Sequence, residues 1–343
     1  MKKVLFATTA LVAFAGAAAA DVTLSGSAEM GIAGSNSGNT AFYQSVDVRF
    51  SLSGTTDNGL SFGAVIDLED AVDQADITDI NGAFADFTVF VSGDFGRLTM
   101  GDTDGALDWA NDEVNTARNA GSINDAETGH LGYFSGATFD NVYGGQILRY
   151  DYSVAGFGIA VSAEVDGSNP RSGDASLQLG LTYDLDIAGG ALQFGLGFAN
   201  VDDANRTSTN TNTAGANLAG TPGFSAVSFS ALAALDMGFS AAVNYLDIND
   251  DGYFGGDGEF IGVGVGYNFD AITVSANWGE YDWAATANQR DREGYGIAAS
   301  YNLGGGLSAH AGYGVGKNTN NNALAGALNV DISTFSLGLA MSF

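Results

Sequence analysis

The stretch Phe335-Ser336-Leu337-Gly338-Leu339-Ala340-Met341-Ser342-Phe343 decides the fold of this chain. Phe335, Leu337, Leu339, Met341 and Phe343 fall on one parity, and Ser336, Gly338, Ala340 and Ser342 on the other. Successive side chains of a strand point to opposite faces, so the segment reads as a strand with one greasy and one small or polar face. Terminal residues usually fray. An apolar aromatic at the last position is expected instead to staple the edge of a sheet against apolar surroundings.

The same alternation recurs along the chain, while helical periodicity is almost absent. Val46, Val48, Phe50 and Leu52 oppose Ser45, Asp47, Arg49 and Ser51, and Phe62, Ala64, Ile66 and Leu68 oppose Gly63, Val65, Asp67 and Glu69. Marking every such segment predicts sixteen strands, over residues 22–33, 43–53, 60–69, 83–92, 96–103, 144–155, 157–166, 174–186, 191–201, 224–235, 239–248, 258–269, 271–283, 291–302, 307–316 and 328–343. Short Gly- or Asp-containing turns alternate with longer polar connections, of which residues 104–143 form the longest. Pro170 and Pro222 both fall in long connections, where a missing N–H breaks no ladder.

Residues 1–20 read as a cleaved secretory signal: Lys2 and Lys3, an apolar stretch from Val4 to Ala17, then Ala18-Ala19-Ala20 before Asp21. The remainder, 21–343, is expected to be a single barrel domain. Without cysteine an exported chain of this size must be held by its sheet alone. Eleven basic residues, two of them in the leader, stand against 40 acids. That excess excludes nucleic acid as a partner. Abundant aromatics, 22 Phe, 13 Tyr and 3 Trp, argue against disorder.

An alternating barrel has two possible orientations, with its apolar parity facing either a core or lipid. Sixteen strands enclose a lumen too wide for side chains to fill, so an apolar interior would be a cavity. The polar parity also carries Arg49, Asp47, Asp67, Glu69, Arg149, Asp151 and Glu164, which need water or partners. The expectation is therefore an all-β, 16-stranded antiparallel transmembrane barrel, apolar outside and polar within. Tyr43, Tyr150, Tyr152, Phe157, Phe198, Phe239, Tyr245, Tyr267, Phe269, Trp278 and Phe343 gather toward strand ends as candidates for interfacial girdles.

Five features together resemble the general diffusion porins of Gram-negative outer membranes, most of all those of photosynthetic purple bacteria. They are the start DVTLSGSAEMGI, the hairpin FSLSGTTDNGLSFGA, the segment VSGDFGRLTMGDTDGALDWANDEV, the hairpin YNLGGGLSAHAG and the terminal Phe343. The resemblance implies an outer-membrane homotrimer that passes small hydrophilic solutes and ions, in contact with lipid and lipopolysaccharide. It implies that the third long loop, 104–143, folds into the barrel and narrows it. Loop acids Asp104, Asp108, Asp112, Glu113, Asp125 and Glu127 would then face the wall bases Arg49 and Arg149, with Arg97 lower. Such separated charges order water across a narrow gap. The alternative for each arginine is a plain wall salt bridge, for example Arg149 with Asp151. The resemblance also makes Phe343 a signal for the outer-membrane assembly machinery. Few bases and many acids point to cation preference, and no cofactor is required.

Other motifs carry less. Gly59-Leu60-Ser61-Phe62-Gly63 spells a nucleophile elbow, but alternation continues through it with no helix to follow. His310 is expected to line the lumen and His130 to be a solvated loop residue, which leaves no base for catalysis. Asp247, Asn249, Asp251 and Asp257 are candidate calcium ligands from the run DINDDG, with a solvated acidic loop as the alternative. Gly and Asp abundance also suits a secreted calcium-dependent solenoid. The fixed short period of such repeats is absent.

Overall fold

A computed structural model describes residues 21–343 except 72–83, 115–120, 124, 126, 144–145, 166–174, 203, 206–218, 222, 251–255, 285–290 and 320–329. The predicted leader therefore lies outside the described residues. Sixteen antiparallel strands form one closed barrel: β1 Asp21–Ser35, β2 Ala41–Thr55, β3 Ser61–Ala71, β4 Phe84–Gly93, β5 Gly96–Gly101, β6 Ile147–Val154, β7 Phe157–Val165, β8 Ala175–Ile187, β9 Gly190–Val201, β10 Phe224–Leu235, β11 Phe239–Asp250, β12 Gly258–Phe269, β13 Ile272–Trp283, β14 Asp291–Gly304, β15 Leu307–Thr319 and β16 Val330–Ser342. Each strand pairs with its sequence neighbours, and β16 returns to β1, with Gly31 opposite Gly338 and Ser27 opposite Ser342. Phe343 extends that closure, its N–H donating to the Gly26 carbonyl at 2.9 Å. A small antiparallel pair, Ala204–Asn205 with Ala219–Thr221, lies outside the barrel sheet. All sixteen predicted strands are present. The fifth and sixth are shorter than expected, because the chain leaves the wall at Asp102 and rejoins it only at Ile147.

Short turns gather at one rim. Ala155-Gly156, at φ 52° and 83°, joins β6 to β7 with two central residues of positive φ, the geometry that matches strand twist in a two-residue hairpin. The G-x-S-x-G run is part of the β2–β3 hairpin, with Gly59 in the turn and Ser61 opening β3.

The outer face is apolar and exposed. On β12, Ile261, Val263 and Val265 alternate with the buried Phe260 and with glycines. Every outward-facing Tyr or Trp among the described residues stands on β6 to β15, none on β16 or β1 to β5. Tyr43, expected in a girdle, shares the inner parity of β2 with Ser45.

The inner face departs from expectation on one side. A uniformly polar lumen was predicted, yet the inward positions of β9 to β13 include Val201, Phe224, Leu246, Ile248, Phe260, Tyr281 and Trp283, all buried in one cluster with Leu107, Phe134, Phe139 and Val142. The barrel's hydrophobic core therefore lies between its wall and the long segment after β5. Rings pack tightly there: Phe134 is 5.5 Å from Phe260 and 5.9 Å from Phe139, and Phe139 is 5.7 Å from Phe224. A barrel this wide fills part of its bore with its own chain.

Candidate channel constriction

The in-folded segment begins with one turn and a half of helix, α1, Ala106–Ala110. A helix this short exposes nearly all its N-terminal donors, and Gly105 offers no side-chain cap. The wall and the returning end of the loop supply the partners instead. Ala106 N–H donates to Ser162 Oγ at 2.8 Å, Leu107 N–H to Gln178 Oε1 at 2.9 Å, and Gly105 N–H to Asp140 Oδ1 at 2.9 Å. Further along, Asp112 N–H donates to Ser230 Oγ at 2.9 Å, Asn244 Nδ2 to the Asp112 carbonyl at 3.1 Å, and Asn277 Nδ2 to the Thr128 carbonyl at 2.7 Å. Polar inward residues that read as water-lining are thus anchors for the loop.

Glycines make the close approach possible. A Cβ on Gly180 would overlap the Ala106 carbonyl, on Gly195 the Ala110 carbonyl, on Gly264 the Val114 carbonyl, and on Gly296 or Gly314 the Glu127 carbonyl. The loop follows this track from β8 round to β15, and Ile123 reaches Gly338 and Gly31 on β16 and β1. Among the described residues these loop contacts leave β2 to β5 uncovered, and the open bore lies against them.

The predicted acids separate along the loop. Carboxylate oxygens of Asp104, Asp108 and Asp140 lie within 4.8 Å of one another where the segment leaves and rejoins the wall. Burial, then the neighbouring Asp140 charge, raises the Asp108 pKa, and burial likewise raises that of Asp140, so the pair shares a proton above the ordinary carboxylate range. At the far end Asp125 lies near Glu29, which also feels Asp47. Burial raises the Asp125 pKa, opposed by a backbone hydrogen bond at Ser122 and by His310. Asp112 is raised by burial and by Asp184 below it. Glu113 ties the loop to itself, accepting from Gly136 N–H at 3.0 Å and from the Tyr133 hydroxyl.

Glu127 does not face the bore. It is wholly buried against Gly312 and Gly314, its Oε2 accepting from Ser122 Oγ at 2.5 Å. His130, expected in solvent, is buried over Gly294 and beside the Tyr133 ring, and burial lowers its pKa to about 4. Both corrections have one cause: the glycine track lets the loop press its side chains into the wall.

The bases are paired. Arg149 Nη1 donates to the Asp104 carbonyl at 2.7 Å and lies 3.7 Å from its carboxylate, while Nε lies 3.3 Å from Asp151, so it touches both the loop acid and the wall acid. Arg49 is held by a two-pronged bond to Asp67, at 2.6 and 2.7 Å. Arg97 donates to Thr99 at 3.1 Å with its guanidinium 3.8 Å from the centroid of Phe90, near the short-turn rim. Asp67, Asp140, Ser162, Gln178, Ser230, Asn244 and Asn277 were missed as site residues. The signal for the anchors was polar residues on the inward parity of strands otherwise lined by glycine.

Asp247, Asn249 and Asp257 line a cleft of about 570 Å³ at the long-connection rim with Glu259 and Asp282, and Asp251 lies outside the described residues. Asp247 projects on the outward parity, opposite Glu259, which is opposite Asp282. Asp257 Oδ1 accepts from Asp250 N–H at 2.9 Å.

The Gram-negative porin family model matches residues 7–321. A porin from Rhodobacter capsulatus is 29% identical over 295 residues, covering 85% of this chain and 93% of its own length. Among solved structures, a porin refined at 1.8 Å resolution superposes with a TM-score of 0.68 at 23% identity, covering 94% of this chain and all of that one. A mutant porin of Rh. blastica superposes with a TM-score of 0.65 at 15% identity, with the same coverage. A closed sixteen-stranded barrel, apolar outside and narrowed within, and a family match across nearly its whole length lead to one assignment: the chain belongs to the Gram-negative porins, the channel-forming barrels of the outer membrane.

Proposed function

We propose that this porin passes small hydrophilic solutes and ions by diffusion, with no chemical step, and prefers cations. One observation carries the preference: Arg49, Arg97 and Arg149 each have a carboxylate, hydroxyl or ring partner, while acids accumulate at both ends of the in-folded loop. Arg149 opposite Asp104, Asp108 and Asp140, with Asp112, Glu113 and Asp125 along the loop, forms the constriction in this reading. Reconstitution in a planar bilayer under a KCl gradient tests it. The expected reversal potential is cation-selective and weakens as salt screens the charges; an anion-selective potential overturns the preference.

The chain is exported by its leader and works as a homotrimer in this proposal. Tyr and Trp mark the water–lipid interface of membrane barrels, and their absence from the outward faces of β16 and β1 to β5 supports that arc as the contact between copies. The assembly machinery would read Phe343, and lipopolysaccharide would meet the acidic rim. Calcium in the Asp247, Asn249 and Asp257 cleft is a subsidiary reading, tested by calorimetry with and without Asp257→Asn.

A further inference from the structure

Arg49 and Arg149 differ in one respect that bears on permeation. Arg149 is enclosed, its side chain 10% exposed between loop and wall, whereas Arg49 is 59% exposed toward the bore. A guanidinium keeps its charge at every physiological pH. Bare, it would add an anion-attracting charge to the open half of the barrel, in addition to Arg97 on β5. It is not bare: Arg49 on β2 stands directly opposite Asp67 on β3, and the carboxylate grips Nε and Nη2 at 2.6 and 2.7 Å. Such fork-to-fork pairing fixes direction as well as charge. Asp67 is less exposed, at 22%, so the wall holds the carboxylate and the carboxylate holds the arginine. The surrounding cleft, about 440 Å³, is lined by Ser25, Ser27, Asp47 and Ser342 and carries no second base. Asp47 accepts from the Ser27 hydroxyl at 3.0 Å, while Asp67 offers Arg49 the fitting fork geometry.

We propose that Asp67 is a selectivity-determining positioning residue: it cancels the Arg49 charge and pins the guanidinium on the wall, so that Arg49 does not open an anion path along this side of the bore. The inference rests on the diffusion-channel reading above. Its chemistry is that of small inorganic and organic anions, which the pair turns away by offering them no uncompensated positive charge.

Asp67→Asn, Arg49→Gln and the double variant are compared with the parent chain in planar bilayers under a KCl gradient. A unit charge about 6 Å from a permeating ion in water changes its local concentration about threefold. Asp67→Asn is therefore expected to lower the K⁺ over Cl⁻ permeability ratio by about threefold or more. Arg49→Gln, which leaves the carboxylate alone, is expected to raise it, and the double variant to return it toward the parent value. A merely structural role for Asp67 would change yield or stability and leave the ratio alone in channels that form. Open Asp67→Asn channels with the parent ratio overturn the inference. Should Asp67→Asn fail to assemble, an unchanged ratio in Arg49→Gln overturns it equally. A parent chain that forms no channel defeats the underlying function instead, a result distinct from either.

Discussion

Gly264→Ala tests the fit of the loop on its glycine track. Gly264 has ordinary strand geometry, so alanine brings no backbone strain of its own and relieves about 0.5–1 kcal/mol of glycine's entropic cost. The obstacle is the loop: the new Cβ would stand 2.8 Å from the Val114 carbonyl carbon and overlap its oxygen. To reach ordinary contact the carbonyl must retreat by about 1.5 Å. The nearby anchors, Asp112 N–H to Ser230 at 2.9 Å and Asn244 to the Asp112 carbonyl at 3.1 Å, cannot both survive such a shift. Their loss costs about 1 kcal/mol each, and lifting the buried Val114 side chain about 1.5 kcal/mol more. The net, about 2–3 kcal/mol against the in-folded pose, is large enough to displace this part of the loop toward the axis. Single-channel recording is the assay. Conductance should fall and open-channel noise rise, while heat-modifiable mobility stays normal, because the β11–β12–β13 ladder is untouched. Since the overlap is with backbone, adding Val114→Ala should not restore conductance. Unchanged conductance, or rescue by Val114→Ala, would refute the reasoning.

Other expectations concern titration and assembly. The shared proton of Asp108 and Asp140 raises their titration, so the loop attachment they give is strongest below the ordinary aspartate range and is lost as pH rises through their raised values; Asp108→Asn should flatten the dependence of conductance noise on pH. His130 works in the other direction: its pKa is lowered from the usual 6.5 to about 4, so the buried neutral ring favours the native loop at neutral pH, and up to about 3 kcal/mol is lost as pH falls from 6.5 to 4. Limited proteolysis of the loop should therefore accelerate near pH 4 in the parent and less so in His130→Phe. Deleting Phe343 should reduce the yield of heat-modifiable oligomer more than it alters conductance, because it continues the outward parity of Met341 and its N–H only extends the β1–β16 ladder.

The strands were legible because one face of nearly every strand meets lipid. Val46, Val48, Phe50 and Leu52 must all be apolar wherever the other face points, and that leaves a period of two. The loop's pose was legible only by resemblance. Leu246 and Ile248 face inward on β11, but inward apolar residues beside outward ones blur the alternation that would reveal them. Glu127 and Asp125 look equivalent in sequence, two acids in an acidic loop, yet one is buried on glycines from β15 and the other lies near Glu29. Nothing local distinguishes them, since the difference arises from residues about one hundred and nearly two hundred positions away. Arg49 was read correctly as facing inward. Its partner was missed because the directly opposed Asp67 becomes evident only once the β2–β3 register is known.

The wall anchors have a consequence for the order of assembly. The described side-chain hydrogen-bonding partners of the in-folded segment on the wall all follow it in the chain, from Arg149 to His310, which meets the Gly121 carbonyl across 189 residues. Contacts of such separation form late. The strands that cradle the loop must therefore be laid down before it has anywhere to rest, and the loop must be inside when β16 meets β1. A barrel stalled one strand short would keep nearly all its sheet and still be a leak, since the plug is seated by the last pieces to arrive.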